Sequence, residues 1–231
     1  MTTASALDPL TPFDWSRILA RGSDAQSFLQ GQLSQDLSDV GAGVWSLILT
    51  PTSEVISSVK VLRDNDGYVL YVARDLAEVV MARLKRFLLR TDCQLSIEAS
   101  EEGPIGTVGD QVRGGIAGPN EFARHLTPQC FGAHFVASTV SFTKGCFTGQ
   151  ELVGRLDARG AVVPWRLVRS SGPSIERLDE ALGSKGPEGP QGVTTAITHE
   201  GGVLALGFVH RSALAEDALA GFHDVIVTAI A

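Results

Sequence analysis

The stretch FTKGCFTGQELVGR, Phe142–Arg155, sets a cysteine two residues after a lysine and between two glycines, then runs straight into helical spacing. Thr148 and Glu151 spell T-x-x-E, the capping box in which the two side chains satisfy free amides at a helix start, so the spacing predicts a helix from about Gly149 to Gly160. Cys146 stands just before that start. There the partial positive charge of the helix, with Lys144 and Arg155 nearby, favours thiolate over thiol and lowers the pKa from its ordinary ~8.5. Gly145 and Gly149 allow close backbone approach by another molecule, or a positive φ where a side chain would clash. Free cysteine is also among the most buried residue types, so a packing role is the competing reading. Cys93 and Cys130 lack both the glycine flanks and the cap, and read as filler.

Working outward, the 231 residues suffice for one elaborate domain or two modest ones. With 44% hydrophobic and 19% charged residues the composition is that of a globular protein. No apolar run reaches the ~18 residues of a membrane span. The N-terminal MTTASALDPL lacks the basic start and apolar stretch of an export signal, so a cytoplasmic setting with reduced thiols is expected. Three widely spaced cysteines form no C-x-x-C half-site, and the five histidines show no metal-ligand motif, so no metal is expected. The net charge of −7 argues against stable nucleic-acid binding, while leaving room for a local basic pocket.

Along the chain, Ser23–Leu33 reads as a short amphipathic helix with a Ser N-cap. Val44–Thr50, Ser53–Leu62 and Tyr68–Ala73 read as antiparallel strands separated by turns. Asp75–Arg90 reads as a helix with a D-x-x-E cap and one face of Leu76, Val79, Val80, Leu84, Phe87 and Leu88. Gln94–Ser100 resumes as strand, which gives an α+β order rather than strict βαβ alternation. Gly103–Pro119 is poorly patterned, and Ser170–Gly192, rich in Pro and Gly, reads as surface loop. Val193–Arg211 reads as a hairpin turning at His199–Gly202 and His223–Ile230 as a closing strand, together a small β-barrel. Glu101–Glu102 and Glu176–Glu180 read as solvated charge clusters.

Lys144-Gly145-Cys146-Phe147-Thr148-Gly149-Gln150-Glu151 with Arg155 resembles the K-G-C-[FY]-x-G-Q-E…R motif of the YgfZ-type folate-binding proteins, relatives of the glycine-cleavage aminomethyltransferase. GSDAQSFLQGQLSQD, Gly22–Asp36, is similar to that family's N-terminal block, and Gly192–Leu214 to its C-terminal strand pair. The resemblance implies an α+β fold of two interleaved subdomains over 1–160, a β-barrel over 161–231, and a central channel for tetrahydrofolate. It implies a role in assembly or repair of iron-sulfur enzymes, which become the expected partners together with cluster-assembly proteins. Cys146 and Lys144 become the candidate catalytic residues, and Gln150, Glu151, Arg155 and Arg113 the candidate cofactor-binding residues.

Two departures bear on the chemistry. The aminomethyltransferases carry adjacent Asp residues in the strand similar to SEVISSVKV, whereas this chain has Ser57 and Ser58, which cannot serve as an ionised charge partner. Near Arg113 the relatives carry R-x-E-A-G, whereas Arg113-Gly114-Gly115-Ile116 has no Glu. Folate-dependent aminomethyl transfer is therefore the alternative to the accessory role. Trp15, Trp45 and Trp165 read as core, or as a stacking partner for a pterin.

Overall fold

The computed structural model describes residues 5–100, 102–160, 162–184, 186–214, 219 and 221–230. Met1–Ala4 of the N-terminal stretch and Glu101 of the first acidic pair lie outside the described residues. Five strands, β1 (Trp15–Arg21), β2 (Val44–Leu49), β3 (Val55–Asp64), β4 (Gly67–Ala73) and β5 (Gln94–Ser100), form an antiparallel sheet in the order β2-β3-β4-β1-β5. A second antiparallel sheet contains β6 (Trp165–Gly172), β7 (Gly192–His199), β8 (Gly202–His210) and β9 (Ile226–Ala229) in the order β7-β8-β6-β9. The helices are α1 (Ala25–Gln32), α2 (Ala77–Lys85), α3 (Val108–Gly114), α4 (Pro119–Phe122), α5 (Ala133–Thr139), α6 (Gln150–Ala158) and α7 (Ile175–Gly183). None is long and apolar enough to cross a membrane.

The mixed α+β class and the expected strands from Val44 to Ser100 are present, with β1 added between β4 and β5. WSRILAR buries Ser16, Ile18 and Ala20 by alternation, with Trp15 buried on the other face, but it holds a single β-branched residue. Its partners, Ala73 and Ser100 opposite Trp15, lie far along the chain, so pairing rather than local propensity makes it a strand. The helix over Asp75–Arg90 is shorter than expected and rotated. It buries Ala77, Val80, Met81, Arg83 and Leu84, while Val79 and Phe87 face out.

The C-terminal β-barrel is corrected. Among the described residues β6–β9 pair in one open row with β7 and β9 at the edges. Both faces find other cover. On one, Ile175, Leu178 and Leu182 of α7 pack with Val168, Val193 and Ala205. On the other, Leu167, Leu206 and Phe208 join Leu47, Leu49 and Val55 of the first sheet through Phe122, Phe131, Phe147 and Val153 of the helical connection. Four strands are too few to wrap round a filled interior, and with both faces covered no closure is needed to bury them.

The same region corrects the surface loop expected over Ser170–Gly192. Ser174 accepts from the Arg177 amide and starts α7, whose buried Ile175, Leu178, Ala181 and Leu182 follow helical spacing. Gly103–Pro119 likewise holds α3, capped by reciprocal hydrogen bonds between Thr107 and Asp110.

Candidate functional site

The two stretches that carry the family resemblance meet in space. Lys144 Nζ donates to the carbonyls of Gln30 at 2.5 Å and Leu33 at 2.6 Å, at the C-terminal end of α1, where helix carbonyls lack intrahelical partners. The Thr148 amide donates to Gly31 O at 3.2 Å, and the Ser141 amide to Ser34 O at 2.9 Å. Ser34 Oγ in turn donates to Thr139 O at 2.6 Å. Lys144 is buried, its ammonium over the Phe147 ring at 5.2 Å. Burial lowers its pKa from 10.5 to about 8, opposed by the Asp36 carboxylate. Asp36 accepts from Gln30 Nε2 at 2.9 Å, and hydrogen bonds from Ser38 and Gln30 hold its own carboxyl below the usual range.

Thr148 does not cap α6. The N-cap is Gly149 at φ +84°, with no side-chain cap hydrogen bond. Its backbone lies so close to the β2–β3 turn that a Cβ there would stand 2.7 Å from Thr50 O, and Ser53 Oγ donates to Gly149 O at 2.5 Å. Contact with a distant turn, not local capping, decides where this helix starts. Gly145 has open space around it, and Cys146 is exposed.

The predicted site residues therefore separate. Lys144 turns inward to α1, while Arg155 pairs with Glu151 one turn away on the surface of α6. Gln150 is half-buried at the first position of that helix. Arg113 lies at the last turn of α3, remote in sequence from the motif, with its backbone carbonyl accepting from Arg169 Nη1.

Between the first sheet and the helical connection lies a cavity of about 370 Å³, within the size range of small-molecule pockets, about 300–1,000 Å³. Trp45 of β2 and Ser58 of β3 line one side. Gly114, Gly115 and Ile116 follow α3, Phe131, His134, Phe135, Ser138 and Thr139 come from α5 and its approach, and Ile230 completes the lining. The walls are aromatic and aliphatic, with hydroxyls from Ser58, Ser138 and Thr139 and an imidazole from His134. Ser58 and Gly114-Gly115 are the positions singled out in the sequence as departures. Phe131, His134 and Phe135 carry no sequence motif, and their convergence comes from folding the helical connection onto β2 and β3. Cys146 is not among the lining residues.

A buried carboxyl also escaped the sequence reading. Glu121 of α4 is fully buried and takes hydrogen bonds from Gly118 N at 2.8 Å and Gln111 Nε2 at 3.1 Å. It lies 2.5 Å from Thr194 Oγ1 and 2.7 Å from Thr195 Oγ1. Burial pushes its pKa up, with the hydrogen bonds opposing. Thr194 Oγ1 also lies 3.0 Å from Leu206 O, and its single hydrogen cannot serve both oxygens.

The antiparallel α+β arrangement is shared with an aminomethyltransferase of known structure. A glycine cleavage system aminomethyltransferase T from Bartonella henselae shares this fold at a TM-score of 0.60, covering 87% of this chain and 78% of that one at 12% identity. In sequence the chain is similar to YgfZ proteins. It is 33% identical over 103 residues to the tRNA-modifying protein YgfZ of Edwardsiella ictaluri, covering 43% of this chain and 30% of that protein. It is 28% identical over 119 residues to the YgfZ of an Enterobacter species, covering 49% and 36%. A Haemophilus influenzae protein is 25% identical over 188 residues, covering 62% and 66%. The matches thus span about a third of the length of the named relatives. No family model matches the chain.

Proposed function

We propose that this chain binds tetrahydrofolate in the cavity lined by Trp45, Phe131 and Phe135 and acts as an accessory protein to iron-sulfur enzymes, with Cys146 as the working thiol. The observation that carries this reading is the cavity itself. Trp45, Phe131 and Phe135 offer flat apolar surface for a ring system, and the Ser58, Ser138 and His134 side chains offer a few polar contacts to orient it. The family resemblance supplies the ligand class. The exposure of Cys146 outside the cavity suits a thiol that meets a partner protein or a cluster rather than the bound folate.

The name of the YgfZ relatives, tRNA-modifying protein, supports tRNA-modifying enzymes as the client class. The net charge of −7 disfavours a direct grip on the polyanion itself. Aminomethyl transfer is the second reading, favoured by the shared fold with aminomethyltransferase T. It lacks a charge partner here, because no carboxylate lines the cavity among the described residues.

Titration with tetrahydrofolate, followed by tryptophan fluorescence and thermal unfolding, tests the binding. Saturable quenching with a rise in Tm, both weakened in Phe135→Ala, is expected. An unchanged Tm in excess folate sinks the reading, since a ligand of the native state must stabilise it by RT ln(1 + [L]/Kd). Cys146→Ala, assayed for an iron-sulfur enzyme's activity in a strain lacking the protein, tests the thiol. Full rescue would remove Cys146 from the mechanism.

A further inference from the structure

A second cavity, of about 320 Å³, lies against the sheet of β6–β9 and opens to solvent. Strand register fixes what faces it. Arg169 stands opposite Thr228, and Ser171 stands between Leu204 and Ile226, so alternation puts Arg169, Ser171, Leu204, Ile226 and Thr228 on one face. The intervening Ser170 pairs with Ala205 and turns to the face covered by α7. Arg113 reaches the same cavity from the end of α3, and its backbone carbonyl accepts a hydrogen bond from Arg169 Nη1. His199 adds a third basic side chain, with the exposed Glu200 carboxylate 3.8 Å from its Nε2.

Arg17, Arg21, Arg155 and Arg177 each pair with a carboxylate. Among the described residues neither Arg113 nor Arg169 has such a partner, and no carboxylate lines the cavity, in a chain with an excess of acidic residues. With Arg113 and Arg169 both lining the cavity and no carboxylate beside them, an anion bound there gains charge-assisted hydrogen bonds. The apolar part of the lining matters too. Ile226 is 67% exposed beside Leu204, a surface that the body of an organic ligand would cover.

We propose that this cavity binds a small organic anion through carboxylate or phosphate oxygens. Arg113 and Arg169 serve as charge partners, Ser171 and Thr228 as hydroxyl donors, and Leu204 with Ile226 as the apolar floor. Isothermal titration of the full chain with inorganic phosphate and, separately, with glutarate tests this at fixed ionic strength. Saturable binding of at least one anion is expected, weakened about tenfold or more by Arg113→Gln and by Arg169→Gln. Preference for phosphate assigns a phosphorylated ligand, and preference for glutarate a carboxylate. The Arg113 guanidinium makes no hydrogen bond or ion pair with the described residues, so Arg113→Gln leaves the fold without a lost internal contact. No saturable binding of either anion, or unchanged affinity in both variants, overturns the site. Neither titration contains tetrahydrofolate, so their failure leaves the folate reading standing.

Discussion

Lys144 Nζ donates to the Leu33 carbonyl at 2.6 Å across 111 residues of sequence, and so ties the cysteine loop to the end of α1. Its pKa, lowered by burial to about 8, gives a pH signature. A lysine depressed in the folded state contributes stability that is present above its unfolded value of 10.5 and is lost as pH falls through the folded value. The stability of the wild type relative to Lys144→Met is therefore expected to rise between pH 8 and 10, on the order of 2 kcal/mol. Urea unfolding of both proteins across that range checks it, and a flat difference would show that the ammonium is not buried.

Glu121 gives the opposite sign at lower pH. Its raised pKa makes its contribution to stability complete below the usual 4.5 and lost as pH rises through the folded-state value. Glu121→Gln, which keeps an amide to hydrogen-bond Thr194 and Thr195, is expected to flatten the decline in urea midpoint between pH 5 and pH 8. A variant with the same slope as the wild type would assign that decline to other groups.

The two glycines that flank Cys146 are expected to respond differently to the same substitution. Gly149→Ala forces an alanine to φ +84° with its Cβ near 2.7 Å from Thr50 O, and should cost about 2–3 kcal/mol. Gly145→Ala meets nothing within 4 Å and should leave stability within about 0.5 kcal/mol. Thermal unfolding of both variants decides the matter, and equal losses would contradict the placement of the loop.

Cys146→Ala removes an exposed thiol, so its Tm should match the wild type within about 1 °C while support of an iron-sulfur enzyme falls. Loss of both stability and support would assign the residue a packing role instead. The parallel Cys130→Ala, at a buried cysteine among Phe131 and Val163, is the contrasting case and should destabilise by about 1 kcal/mol or more.

Local pattern made much of the frame legible. Alternating β-branched runs marked β2, β3, β4 and β5, and the turn at His199–Gly202 marked the hairpin of β7 and β8. Three elements were obscured for different reasons. β1 holds a single β-branched residue, Ile18, and is made by its two neighbours. α7 carried its signal, Ser174 followed by Ile175, Leu178 and Leu182, inside a stretch whose Pro and Gly suggested loop. The capping box at Thr148 was a false signal, because Gly149 and its contact with Thr50 start α6 instead.

The sequence by itself determined the α+β class, the family likeness and the place of the cysteine loop ahead of α6, because these rest on short-range spacing and on residue types in fixed order. Only the tertiary structure decided that Lys144 faces α1 rather than Cys146, that Phe131 and Phe135 meet Trp45 and Ser58 in one cavity, and that Arg113 and Arg169 share another. Those meetings depend on long-range strand register and on a helical connection folded between two sheets, where burial and charge are set by partners that lie far along the chain.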